Sequence, residues 1–68
     1  MTIEITFNGR SMQVPADCTI SKLLELAQMR SKLVAVEVNM EIVPKGQHDT
    51  HLVQPGDAIE AVTLVGGG

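Results

Sequence analysis

Tryptophan and tyrosine are absent from this 68-residue chain, and Phe7 is its one aromatic residue. A core must therefore be built from Ile, Val, Leu and Met, and nucleobases would find almost no stacking partner. The net charge of -3 supplies no basic stripe, which further argues against nucleic acid. Cys18 stands alone, so no internal disulfide forms and no secreted staple pattern exists. No 18 apolar residues run together, so no membrane span is expected. The opening MTIEITF lacks the basic start and apolar block of a signal peptide, and a cytoplasmic protein is the expectation. One domain is all that this length allows, with too little protein to enclose a deep substrate pocket.

The hydrophobic fraction of 44% suffices for a small globular core. Residues 2–7 alternate, with Ile3, Ile5 and Phe7 on one side and Thr2, Glu4 and Thr6 on the other, which predicts a strand with one buried face. Asn8-Gly9 is a hairpin signal, because both residue types accept positive φ. Met12 and Val14 continue the alternation in a returning strand over 11–14, ended by Pro15. Thr19 is a suitable N-cap, and Ile20, Leu23, Leu24 and Ala27 form one stripe of a helix over about 20–30. Val34, Val36 and Val38 predict a third strand, apolar enough on both sides for the sheet interior. Asn39-Met40 turns it into a short strand, 41–43. Lys45 to His51 is irregular, with room for a single helical turn. Pro55-Gly56-Asp57 is a turn, and residues 58–65 form the last strand.

This order predicts an α+β fold, a small mixed β-sheet with one main helix packed on one face. The first and last strands can pair in parallel at the centre, leaving the second face of the sheet open. In the last strand Ile59, Ala61, Thr63 and Val65 share one face, and Ala58, Glu60, Val62 and Leu64 share the other. Only one of these can lie under the helix. Val62 and Leu64, on the open side, are the candidate partner-docking face; the alternative is that scattered exposed apolar residues carry no role.

Other chemistry is thin. His48 and His51 lie three apart in 48-HDTH-51 but lack further ligands for zinc, so two solvated loop histidines and no metal are expected. Cys18, just before the helix, is either an incidental thiol or, with a lowered pKa, a persulfide relay. Ser11, Ser21 and Ser31 have no catalytic context, and no nucleophile, base and orienting group come together. The chain stops in 66-GGG-68, three residues that carry no side chain and adopt dihedrals closed to others.

The set of Phe7-Asn8-Gly9, 19-TISKLLE-25, 36-VEVNMEIVPK-45 and 52-LVQPGDAIEAVTLVGGG-68 resembles, over essentially the whole chain, the ThiS family of ubiquitin-like β-grasp proteins. These are the sulfur carriers of thiamine (thiazole) biosynthesis. Met40 departs from the pattern, since relatives often carry glycine in that turn. The resemblance implies a β-grasp domain over residues 1–65 and a flexible glycine tail over 66–68. It implies a carrier, not an enzyme. Gly68 would be the modified residue, adenylated and then converted to a thiocarboxylate, with Gly67 and Gly66 recognised as the tail. It further implies a ThiF-type adenylating enzyme of the ubiquitin-activating kind, a persulfide donor such as a cysteine desulfurase, and a ThiG-type thiazole synthase as acceptor. ATP and the persulfide would be used by these partners, with no cofactor bound by the chain itself. Three alternatives stay open: the sulfur-carrying small subunit of molybdopterin synthase, a ubiquitin-like modifier, and a non-covalent β-grasp binding module.

Overall fold

The computed structural model describes residues 1–29 and 33–64. Strands β1 (Thr2–Phe7) and β2 (Arg10–Pro15) precede helix α1 (Ile20–Leu26), and β3 (Val34–Val38), β4 (Glu41–Val43), a 3₁₀ turn (Lys45–Gln47) and β5 (Ala58–Thr63) follow. The sheet order is β2-β1-β5-β3-β4. β1 and β5 run parallel, with Thr6 opposite Ala58 and Phe7 opposite Ile59; every other neighbouring pair is antiparallel. The parallel pair needs a crossover, which β2 and α1 supply. The last strand thus sits in the middle of the sheet, flanked by β1 and β3.

Alternation decides which side chains are covered. Ile5, Val14, Val36, Val38, Ile59 and Ala61 are buried, as are Ile20, Leu23 and Leu24 of α1 and Val53 beyond the 3₁₀ turn. Burial of such aliphatic side chains, roughly 1.5–3 kcal/mol each, drives the assembly. β2 begins at Arg10 and includes Pro15 opposite Thr2, so it is one residue longer at each end than the alternation of Met12 and Val14 suggested. Pro15 is tolerated there because β2 is an edge strand, where a missing donor costs no ladder bond.

The helix is shorter than its periodicity indicated. It ends at Leu26, with Gln28 at φ 60. The Gln28 and Met29 amides donate to the carbonyls of Glu25 and Leu24, a left-handed cap that satisfies the last helical carbonyls. Met29 then returns to pack on the core. Arg30, the last residue of the helix expected over about 20–30, lies outside the described residues. The helix start follows its sequence signal, since the Thr19 hydroxyl accepts from the Lys22 amide at 3.1 Å. The Ile20 and Ser21 amides donate to His51 and His48 carbonyls, so the chain's own 48–51 segment covers the end of the helix. β5 runs to Thr63, and Val65, together with Gly66, Gly67 and Gly68, lies outside the described residues.

Candidate functional site: the open sheet face beside the chain end

Residues of β5 divide between two environments. Ile59 and Ala61 are 1% and 2% exposed, while Val62 and Leu64 are 57% and 53% exposed. The expected division of faces therefore holds for Ile59, Ala61, Val62 and Leu64, whereas Thr63, expected on the face of Ile59 and Ala61, is exposed where β5 ends. The antiparallel register carries the open face outward from β5: Val62 lies opposite Ala35, and Glu60 opposite Glu37. Across β3, Glu37 also faces Ile42 of β4. The Leu64 amide donates to the Leu33 carbonyl at 2.6 Å, which brings a third exposed leucine-class side chain to the same end of the sheet.

Ile42 and Leu33, 75% and 55% exposed, thus join Val62 and Leu64. A shallow groove of about 200 Å³ runs between Ala35, Glu37, Ile42, Glu60 and Val62. Sequence reasoning found Val62 and Leu64 but not Ile42 and Leu33, because their membership depends on the register between strands. Alternation was the available signal: Leu33 has the same parity as Ala35 and Glu37 in β3. The other half of the open face is polar, with Glu4 accepting from the Ser11 hydroxyl at 2.7 Å. The apolar residues therefore gather where β5 leads toward the chain end.

Three remaining candidates are resolved by packing. His48 is buried, not solvated as its loop setting suggested: its Nε2 lies 3.0 Å from the Val43 carbonyl. The 3₁₀ turn that follows Pro44 folds it inward. His51 is only half buried. Among the described residues no group of three or more His, Cys, Asp or Glu could hold a metal ion. Cys18 is buried, and burial first, then the Asp17 carboxylate, pushes its thiol pKa up from its ordinary value, with Lys22 opposing. That shift is opposite to what a relay thiolate needs, and it corrects the lowered value that a position before a helix suggested. Ser21 bonds to Asp49, a link between α1 and the 48–51 segment.

Comparison with known proteins places this face in context. The ThiS family model matches residues 5–68. The chain belongs to the ThiS family. It is 38% identical over 66 residues to "Sulfur carrier protein ThiS" of Escherichia coli K12, covering 97% of this chain and 100% of that protein. The same span is 38% identical to a segment of "Thiazole synthase" of Paramagnetospirillum magneticum, where it accounts for 20% of the larger protein. The crystal structure of the thiamine biosynthesis protein ThiS from Geobacter metallireducens superposes with a TM-score of 0.83 at 29% identity, covering 97% of this chain and 100% of that one. The five-stranded mixed sheet with one helix is thus the ubiquitin-like β-grasp of the family. No helix among the described residues is long and apolar enough to cross a membrane.

Proposed function

We infer that this chain is the sulfur carrier of thiamine thiazole biosynthesis, with its chemistry at the C-terminal carboxylate of Gly68. The observation that carries this reading is the full-length match to ThiS carriers, which runs to residue 68. It combines with a central strand, β5, followed by Leu64, with Val62 and Leu64 among the exposed apolar residues of the open face. A carboxylate of pKa about 3.5 is ionised at neutral pH and is a poor acyl donor. A ThiF-type enzyme therefore activates it with ATP, transferring the adenylyl group to the Gly68 oxygen and releasing pyrophosphate. The terminal sulfur of a persulfide on a partner then displaces AMP from the carbonyl carbon to give an acyl disulfide. Attack of a second partner thiol on that disulfide releases the thiocarboxylate and leaves a disulfide between the two partner sulfurs. Gly66 and Gly67 present no side chain to the walls of a partner's channel, and three extended residues reach roughly 10 Å. Val62 and Leu64 dock the folded body while the tail is inserted.

The acceptor is a ThiG-type thiazole synthase. A protein that carries that name also carries a segment like this chain, which supports proximity between carrier and acceptor. In this reading the chain is not itself a catalyst: its contribution is a stable platform and an accessible end. A cysteine desulfurase supplies the persulfide.

Intact mass spectrometry tests the proposal. After incubation with ATP, a ThiF-type enzyme and a persulfide donor, one oxygen at the C-terminus is expected to be replaced by sulfur. No mass change with a competent partner would overturn the carrier reading, and isopeptide adducts would assign a modifier instead. A peptide tag fused after Gly68 is expected to abolish the transfer without changing the fold.

A further inference from the structure

β5 is held differently on its two edges. On the β3 side it is paired from Ile59 to Thr63, and the Leu64 amide adds a further bond to Leu33. On the β1 side the neighbouring strand runs out at Phe7, opposite Ile59, and the chain turns away through Asn8-Gly9. The ladder nevertheless continues for one more rung. The Ala61 amide donates to Oδ1 of Asn8 at 2.8 Å, and Nδ2 of Asn8 donates to the Ala61 carbonyl at 3.0 Å. The Asn8 backbone amide donates to the Ile59 carbonyl at 2.8 Å. A carboxamide has the donor and acceptor of a peptide unit, so this side chain replaces the strand residue that β1 lacks. Its orientation is set by the backbone groups it meets, since the amide needs the oxygen and the carbonyl needs the nitrogen.

A second asparagine provides an internal comparison. Asn39, like Asn8, has a left-handed backbone, with φ 52 against 50. Its Oδ1 accepts from the Ala58 amide at 2.9 Å and its Nδ2 donates to Asp57 at 3.0 Å. Asn39 thus holds the beginning of β5, and Asn8 holds the last rung on the β1 edge before the strand leads to the tail. Without the Asn8 carboxamide that edge is held only as far as Ile59. Glu60 and Ala61, roughly 7 Å of chain, would then be held by β3 alone, and the added angular scatter grows along the lead.

We propose that Asn8 is a positioning residue for the chemistry at the C-terminus: through Ala61, its carboxamide sets the direction in which the tail leaves β5. The proposal rests on the carrier reading above. It separates two quantities, because the open face governs docking while Asn8 governs how often the docked tail presents its carboxylate to the activating partner's nucleotide. Misplacement by about 1 Å can cost a hundredfold in rate. A root loosened on one edge is expected to cost roughly 5- to 20-fold.

The test compares Asn8→Gly with Asn39→Gly. Glycine keeps the positive φ and the backbone amide at each turn, so each variant deletes only a carboxamide. ATP–pyrophosphate exchange with a ThiF-type enzyme is measured at a temperature where all proteins are folded, with amide hydrogen exchange at Ala61. Asn8→Gly is expected to speed Ala61 exchange at least tenfold and to lower kcat roughly 5- to 20-fold, with KM for the carrier within about twofold. Asn39→Gly is expected to leave kcat unchanged. If Asn8→Gly proves unstable, Asn8→Asp, which keeps the turn but has no donor for the Ala61 carbonyl, shows the same split. An unchanged kcat in the Asn8 variants, or an equal loss in Asn39→Gly, would overturn the proposal. Absence of exchange with the unaltered chain would overturn the carrier reading, and this proposal with it.

Discussion

The two faces of the sheet are made from the same strands and obey different rules. In β5, Ile59 and Ala61 lie beneath the helix and Glu60 and Val62 lie on the open side, one residue apart in sequence. The covered face is explained by folding alone: Ile5, Val36 and Ile59 meet Ile20 and Leu23 with almost no residual exposure. The open face is not. Val62, Leu64, Ile42 and Leu33 are each more than half exposed, and burial within this chain does not account for them. Isolated exposed apolar residues are common, but these are linked through strand register and gather beside the route to the chain end. The comparison teaches that the covered face builds the platform, whereas the open face is left exposed by this chain's described residues and is where a docking partner is proposed.

Substitutions on the two faces should therefore fail in different ways. The largest effect is expected beneath the helix. Leu23 is 0% exposed, and Leu23→Ala should cost roughly 2–5 kcal/mol through lost burial and a cavity. A domain of this size has only about 3–10 kcal/mol in total, so urea denaturation should show a large fall in midpoint or a largely unfolded chain.

Next comes the open face. Leu64→Asp is expected to weaken binding to the activating enzyme at least tenfold, about 1.4 kcal/mol, while unfolding free energy moves by less than about 0.5 kcal/mol. Titration calorimetry and urea melts measure the two effects separately. A loss of stability matching that of Leu23→Ala would break the comparison, because it would place Leu64 in the core.

Cys18 tests the covered face by pH. Its folded pKa is raised, burial being the larger cause. Below its ordinary value of 9.0 the thiol is protonated in both states and contributes no slope. Above that value the unfolded chain releases a proton that the folded chain retains, so stability falls as pH rises. Cys18→Ala should cost on the order of 1 kcal/mol near pH 7 through lost packing. Its deficit should shrink between about pH 8 and pH 10.5 as the alkaline penalty disappears with the thiol. Denaturant melts at the two pH values check this, and parallel curves would show that the thiol is not shielded.

The smallest expected change is favourable. Met40 has φ 70 and is 87% exposed in the β3–β4 turn. A left-handed backbone costs an ordinary L-residue roughly 1–2 kcal/mol. Glycine removes that strain at an entropic cost of about 0.5–1 kcal/mol, so Met40→Gly should stabilise by about 0.5–1 kcal/mol net. Thermal melts would show a small rise in Tm with the open face unaltered.

Much of this architecture was legible before the structure. The element order, both asparagine turns, the Thr19 cap and the division of β5 between faces all follow from short-range chemistry. The family motifs likewise pointed to the chain end. The helix was misjudged at its far end because its apolar stripe, which ends at Ala27, carries no stop signal, and Gln28 takes a left-handed backbone with no Gly or Pro to announce it. His48 was misjudged because the 3₁₀ turn after Pro44 folds its ring back onto the Val43 carbonyl, while a polar, irregular stretch gives no periodicity from which an inward-facing residue can be read.

By itself, then, the sequence determined where strands and helix form and which residues share a face, because alternation, caps and positive-φ turns act over a few residues. It also carried the terminal glycines that mark the family. Tertiary structure alone decided that β3 is the other neighbour of β5, that Ile42 and Leu33 join Val62 and Leu64, and that the Asn8 side chain completes a rung on Ala61. The physical reason is register. The pairing of β1 with β5 is set by the closure of the whole sheet around one small core, and only that closure brings Asn8 from the first turn to Ala61 of β5, 53 positions away.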